Sequence, residues 1–133
     1  MTASRPGAPD RAGWKVWVAV AAGGFAGTEG RYLLSLLFPE PAGSFPWTTL
    51  TINVVGSFLL GLLTVRWSGG ARSPRWVQAA VGPGLIASFT TFSAITLTGV
   101  IQPDLLLPYL GVSVVLGLAA AAAGMALGRK KSA

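Results

Sequence analysis

Residues 82–98 read Gly-Pro-Gly-Leu-Ile-Ala-Ser-Phe-Thr-Thr-Phe-Ser-Ala-Ile-Thr-Leu-Thr, and they lie inside the longest uncharged stretch of the chain. No charged residue occurs among the 28 positions between Arg75 and Asp104. Crossing a hydrocarbon core of about 30 Å takes roughly 20 helical residues, so the stretch predicts a membrane-spanning helix. Pro83 removes one helical hydrogen bond, and the following hydroxyls can satisfy backbone groups in its place. Two interpretations stay open here: a simple proline kink, or an interruption that builds an ion site from freed backbone groups.

The rest of the chain contains three more candidate spans. Uncharged gaps of 25 and 24 positions follow Glu40 and Asp104. The first apolar stretch has only 13 positions between Lys15 and Glu29, so it crosses only by running through Glu29 and Arg31. A cleaved signal peptide is disfavoured because apolar residues resume after Arg31. We predict an all-α integral membrane protein with four transmembrane helices at about 14–38, 47–66, 76–100 and 106–128.

The composition argues against an enzyme. Hydrophobic residues make up 52% of the 133 positions and charged residues 11%, whereas a soluble domain has about 25% charged residues. The absence of Cys and His removes disulfides, thiolate nucleophiles, Ser-His triads and the usual zinc ligands. Four carboxylates scattered along the chain make a paired-carboxylate hydrolase a poor interpretation.

Positive charge is confined to one side of the predicted bundle. Nine of the ten Lys and Arg residues lie at the amino-terminal end, around the second connection and at the carboxyl end, and none lies in the other two connections. They are Arg5, Arg11 and Lys15, then Arg66, Arg72 and Arg75, then Arg129, Lys130 and Lys131. Lys and Arg in short loops stay cytoplasmic. We therefore predict a multi-pass protein of the cell (plasma or inner) membrane with one orientation and both termini cytoplasmic. We also predict a disordered amino-terminal tail (residues 1–13) and a carboxyl-terminal tail (129–133), and no nucleic-acid partner for the net charge of +6.

Small and polar residues within the spans carry the next predictions. Gly23 and Gly27 are four positions apart, as are Gly124 and Gly128, and such pairs let helix backbones approach closely in a membrane. Charged side chains inside a span normally have a partner or line water. Arg31 is therefore either a structural anchor or a functional cation, and Glu29 either structural or a proton site. Asn53 is either interhelical glue or a donor on an anion path.

Three motifs resemble a known family. They are Gly-Thr-Glu-Gly-Arg-Tyr at 27–32, Thr-Leu-Thr-Ile-Asn-Val-Val-Gly-Ser-Phe-Leu-Leu-Gly at 49–61 and Phe-Thr-Thr-Phe-Ser at 89–93. In this order they resemble the motifs of the Fluc (CrcB) family of small fluoride channels, and the resemblance covers all four predicted spans.

The resemblance implies passive, selective export of fluoride through an antiparallel dimer of four-helix subunits. The third helix would be broken around residues 87–91. Arg31 would lie near a pore mouth and concentrate anions there. The residues implied to line the pore, as hydrogen-bond donors or through an aromatic ring edge, are Asn53, Thr91, Phe92, Ser93, Tyr109 and Ser113. A structural sodium ion is implied as well, held by the backbone carbonyls of Ala87 and Thr90.

Several positions depart from the family pattern. Ala87 and Ser88 replace a Gly-Gly pair, Ile95 replaces the second phenylalanine, and Thr98 replaces a glutamate. Gly117, one helical turn after Ser113, offers no donor. These changes and the one-sided charge predict half of a heterodimer with an oppositely oriented paralogue, in preference to a homodimer. The alternatives are a proton-coupled cation antiporter that uses Glu29, and a non-conducting assembly partner.

Overall fold

The computed structural model describes residues 13–70 and 72–132, which form helices joined by short connections. No strand occurs within these two ranges, so the predicted all-α class is confirmed. The elements are, in chain order, α1 (Trp14–Leu37), α2 (Trp47–Ser68), α3 (Arg75–Ala79), a π-helical segment (Ala80–Ile86), α4 (Ala87–Phe89), α5 (Ser93–Ile101) and α6 (Pro103–Ser132). The predicted disorder of the amino-terminal tail falls on residues 1–12, outside the described ranges.

Three helical stretches in the described residues are long and apolar enough to cross a membrane, and the chain is a membrane protein. They are Trp47–Ser68, Arg75–Ile101 and Pro103–Arg129. Helix α1 has 24 residues, about 36 Å at 1.5 Å per residue, but it carries Lys15, Glu29 and Arg31 and is not among them. A fourth span through α1 therefore stays a prediction.

Helix α6 is longer at both ends than the predicted fourth span. It begins at Pro103 and extends to Ser132, and Pro108 lies inside it. Proline suits the first position of a helix, where its missing N–H has no intrahelical acceptor. At the other end, basic residues such as Arg129 favour the negative end of the helix dipole.

The third span contains two separate irregularities. Around Pro83 the backbone widens into the π-helical segment, where the Ala87 N–H donates to the Gly82 carbonyl five residues earlier. A π turn is a recognised way for a helix to absorb a local disruption. The chain then leaves the helical conformation at residues 90–92, where Thr90 is extended (φ −77°, ψ 154°). The third helix is thus broken, and the π-helical segment was not predicted.

The break lets the two halves of the third span pack on different helices. The π-helical segment and α4 pack against α1, whereas α5 packs against α6, which itself lies along α2. Gly23 and Gly27 of α1 are buried against the backbone carbonyls of Ala80 and Leu85. On the other side, Gly124 meets the carbonyl of Phe58. The predicted close contacts at small residues are confirmed for these glycines.

A small apolar core joins α2, α5 and α6. Leu50, Ile95 and Tyr109 are buried together, and the ring of Phe45 packs edge-on against Tyr109 with its centroid 5.4 Å away. Outside this core, many large apolar side chains are exposed, including Trp14, Trp17 and Phe25 on α1. Exposed apolar surface of this extent marks contact with a membrane or with another protein.

Glu40, in the connection before α2, caps that helix. Its Oε1 accepts the Thr49 backbone N–H at 2.8 Å, and its Oε2 accepts the Thr49 hydroxyl at 3.2 Å. A carboxylate at a helix amino terminus satisfies a free N–H and complements the helix dipole. We expect Glu40→Ala to destabilise the protein by about 1 kcal/mol, measured as a lower melting temperature in detergent. Glu40→Gln, which keeps an acceptor oxygen, serves as the control, and an unchanged melting temperature for Glu40→Ala would contradict this role.

Candidate functional site

Asn53 of α2 pairs with the backbone at the break. Its Nδ2 donates to the Thr91 carbonyl at 3.0 Å, and the Thr91 N–H donates to Asn53 Oδ1 at 2.8 Å. These are the backbone groups that a continuous helix would have satisfied internally. A carboxamide carries two N–H donors, so one Nδ2 hydrogen remains after this pairing. Asn53 therefore fixes the shape of the break and keeps one donor.

The hydroxyls beside this pair face a cavity that contains an arginine. Thr91 Oγ1 and Ser93 Oγ are 2.7 Å apart and share a hydrogen bond. The half-buried Arg31 lies across from them on α1. The cavity measures about 480 Å³, and we call it the arginine cavity; it is lined by Arg31, Ser35, Thr49, Ile52, Thr91, Ser93, Ala94 and Leu97. The lining residues include one cation and several hydroxyls, and none of them is a carboxylate. This composition makes the cavity suitable for an anion.

Phe92 stands apart from the arginine cavity. Its side chain is 70% exposed, and it does not line that cavity. It lies at the end of the non-helical segment (residues 90–92), and its ring is not packed among the helices of the chain. The structure therefore brings Arg31, Thr91 and Ser93 together and leaves Phe92 at the surface.

Tyr109 and Ser113 lie one turn apart on α6, deep within the fold. Tyr109 is wholly buried and Ser113 is 9% exposed. Neither hydroxyl oxygen forms a well-aligned hydrogen bond among the described residues, and the two hydroxyls lie close enough to interact with each other. Buried polar groups are almost always paired. Ile95 packs in the apolar core against Tyr109.

A second open cavity runs between α2 and α6 and begins at Ser113. It measures about 450 Å³, and we call it the α2–α6 groove; it is lined by Ser57, Leu60, Gly61, Thr64, Ser113, Val114, Gly117, Leu118, Ala121 and Met125. The sequence reasoning did not single out Ser57. Its spacing from Asn53 was the available signal, because residues four apart share one face of a helix.

A comparison with known protein families shows to which family the chain belongs. Residues 18–125 match the sequence model of the family described as CrcB-like protein, Camphor Resistance (CrcB). The chain belongs to the CrcB family.

Curated CrcB relatives resemble the chain over much of its length. It is 43% identical over 112 residues to "Fluoride-specific ion channel FluC" of Methanopyrus kandleri, which covers 81% of this chain and 85% of that relative. It is 40% identical over 122 residues to "Fluoride-specific ion channel FluC" of Deinococcus radiodurans, covering 86% and 96% respectively. "Fluoride-specific ion channel FluC 1" of Streptomyces coelicolor is 42% identical over 93 residues, and the match spans 67% of this chain but only 60% of that longer relative.

The broken helix of this CrcB chain offers oxygen donors of the kind that suit a sodium ion. The Thr91 N–H, which a continuous helix would direct at the Ala87 carbonyl, is bound to Asn53 instead. Among the described residues, the Ala87 carbonyl accepts the Thr90 hydroxyl at 3.2 Å and no other side-chain donor. The Thr90 carbonyl receives no hydrogen bond from the described backbone. Hard cations prefer oxygen ligands, so both carbonyls fit the chemistry of the site.

Glu29 lies away from both cavities of this CrcB chain. Its side chain is exposed on α1, and it lines neither the arginine cavity nor the α2–α6 groove. Positions two apart on a helix point in nearly opposite directions, so Glu29 faces away from the Gly27 contact. Glu29 therefore contributes to neither of these two cavities, although a proton-coupled antiporter would need it at its substrate site.

Proposed function

We propose that this chain is a subunit of a fluoride channel that lowers cytoplasmic fluoride by passive export. The observation that carries the proposal is the arginine cavity, in which Arg31 faces the hydroxyls of Thr91 and Ser93 beside the break. The curated names of the CrcB relatives support the choice of fluoride. The proposed process makes and breaks no covalent bond, so the chain acts as a channel and not as an enzyme.

Different hydrogen-bond donors replace the water around the anion at different points of the path. Arg31 raises the local anion concentration at the entrance through its charge. The hydroxyls of Thr91 and Ser93, together with the remaining N–H of Asn53, then donate hydrogen bonds to the dehydrated ion. Phe92 presents the positive edge of its ring from the exposed break, where a second subunit completes the path. Tyr109 and Ser113 donate along α6.

We propose that α1 forms the fourth membrane span. Its length of 24 residues is sufficient. Arg31 turns into the arginine cavity, which removes the cost of exposing this cation to lipid. Lys15 lies at the cytoplasmic end in the proposed orientation, where its charge is favourable. Glu29 on the outer face then requires a polar neighbour from a second subunit.

A sodium ion and a partner subunit complete the proposed assembly. The carbonyls of Ala87 and Thr90 would hold the ion at a site that two broken helices share, because two ligands alone do not fill its coordination shell. When bound, the ion supplies a fixed positive charge between the subunits. The partner is an oppositely oriented paralogue in an antiparallel heterodimer, since the one-sided Lys and Arg distribution fixes this chain with both termini in the cytoplasm of the cell.

The test expresses the chain with topology reporters at both ends, alone and together with a CrcB subunit of opposite loop charge. We expect cytoplasmic termini, and fluoride efflux from liposomes only for the co-expressed pair, independent of a proton gradient. Mixed orientation together with full efflux from the single chain would contradict the heterodimer. Proton-driven cation flux without fluoride flux would refute the channel and favour an antiporter.

The same assay distinguishes a conducting subunit from a mere assembly partner. Arg31→Gln removes the cation from the arginine cavity while keeping a polar side chain of similar length. We expect fluoride efflux from the pair to fall at low salt, where the charge is least screened. Efflux that is unchanged at every salt concentration would assign conduction to the partner alone.

A further inference from the structure

Ser57 of α2 carries a hydroxyl that its own helix does not use. Thr51, Thr64 and Ser68 on the same helix each donate to the carbonyl four residues earlier, at 2.9, 2.7 and 2.8 Å. Ser57 forms no such bond, nor any other side-chain hydrogen bond within the described part of the chain, and it lines the α2–α6 groove. Its donor is therefore available to something in that groove.

The opposite wall of the groove, formed by α6, also carries a hydroxyl that the backbone of its own helix does not use. Ser113 is nine-tenths buried and lines the groove. Neither its hydroxyl nor that of Tyr109 forms a well-aligned hydrogen bond among the described residues, although the two hydroxyls lie close enough to interact with each other. An unpaired buried hydroxyl costs free energy unless water or a ligand satisfies it. The hydroxyls of Ser57 and Ser113 thus line one groove from opposite walls, and Tyr109 is buried one turn before Ser113. Together these hydroxyls indicate a polar path along α6.

Gly117 shows where Ser57 fits in this path. Gly117 follows Ser113 by one helical turn and offers no donor of its own. A Cβ placed on Gly117 would have the Ser57 Oγ as its nearest neighbour, at 3.6 Å. The Ser57 hydroxyl thus stands beside the place where a side chain at position 117 would carry its own donor.

We propose that Ser57 is a further anion-binding donor, which continues the row of Tyr109 and Ser113 across the α2–α6 groove at the turn where α6 has a glycine. The inference rests on the proposed function and extends the fluoride path along α2. A small anion that has lost water needs a donor at each step, and neutral hydroxyls provide one without trapping the ion as a fixed cation would. Ser57 is then a residue that determines passage of fluoride.

The test measures fluoride efflux from liposomes that contain the complete assembly. We expect Ser57→Ala to lower efflux about tenfold, the scale of one lost hydrogen bond to a charged group. Ser68→Ala is the matched control, because it makes the same change on the same helix to a hydroxyl already bound to Thr64. Ser57→Ala combined with Gly117→Ser returns a donor from the other wall, and we expect it to restore most of the efflux.

The outcomes separate this inference from the proposed function. Efflux from Ser57→Ala equal to that of the wild type would overturn the role of Ser57, leave the channel intact, and show that the groove hydroxyls bind only water. A loss that Gly117→Ser fails to repair, in an assembly that elutes like the wild type, would show that Ser57 does not act as a donor. Absence of fluoride efflux from the wild-type assembly would overturn the proposed function, and the inference with it.

Discussion

Asn53→Asp is expected to reduce fluoride efflux by about a thousandfold, to the level of empty liposomes. The substitution places a carboxylate oxygen against the Thr91 carbonyl, where Asn53 Nδ2 now donates at 3.0 Å. It also puts a negative charge beside the arginine cavity. Two unit charges about 4 Å apart near a protein surface interact by about 4 kcal/mol, which corresponds to roughly a thousandfold in rate.

Two further variants show which part of this effect arises from charge. Asn53→Ala removes both hydrogen bonds to Thr91 without adding charge, and we expect a smaller loss, on the order of tenfold. Gln78→Glu makes the same amide-to-carboxylate change at a partly buried residue whose amide donates to the Ser73 carbonyl, away from both cavities, and it is expected to retain efflux. Wild-type efflux from reconstituted Asn53→Asp would refute the place of Asn53 on the anion path.

Gly124→Leu is expected to prevent recovery of folded protein. A Cβ on Gly124 would collide with the Phe58 carbonyl and would lie 2.9 Å from the Leu62 backbone nitrogen. Both obstacles are backbone atoms of α2, so no side-chain rotation relieves the collision and the two helices must separate. Membrane helices that associate through close backbone contact lose that packing when the small residue is replaced.

Gly111→Leu provides the control on the same helix. A Cβ at Gly111 meets no atom within 4 Å, and leucine is a better helix former than glycine by up to about 1 kcal/mol. Size-exclusion chromatography in detergent should therefore give a wild-type profile for Gly111→Leu and aggregate for Gly124→Leu. Equal, well-folded behaviour of the two variants would mean that the contact between α2 and α6 is not a tight one.

The sequence predicted the helical elements well because charges mark helix ends in a membrane. Helices α1 and α2 lie within two residues of the predicted bounds. The start of α6 was harder to predict, because Pro103 and Pro108 are compatible both with a turn and with the first turns of a helix. The π-helical segment around Pro83 could not be predicted from the sequence, because it depends on how closely α1 approaches and not on local helix propensity.

The residues of the site could be predicted from the sequence, but their arrangement in space could not. The motifs named Arg31, Thr91 and Ser93, and the structure brings these side chains to one cavity. The place of Ile95 in the apolar core could not be predicted from the motif, because a motif gives spacing along one helix, whereas this burial depends on Leu50 and Tyr109 from other helices. The spacing of Ser57 from Asn53 gives its helix face, but its position beside Gly117 of α6 could come only from the structure.

The pairing of Asn53 with Thr91 has a consequence for how this protein tolerates mutation. Both hydrogen bonds engage the backbone of residue 91, so the interruption of the helix does not depend on which side chain that residue carries. Substitution at position 91 by any residue other than proline should therefore keep the shape of the break while changing ion selectivity, whereas substitution at position 53 should alter that shape. A single amide on α2 thus makes the neighbouring segment evolvable, because variants there change the chemistry of the path without changing its shape.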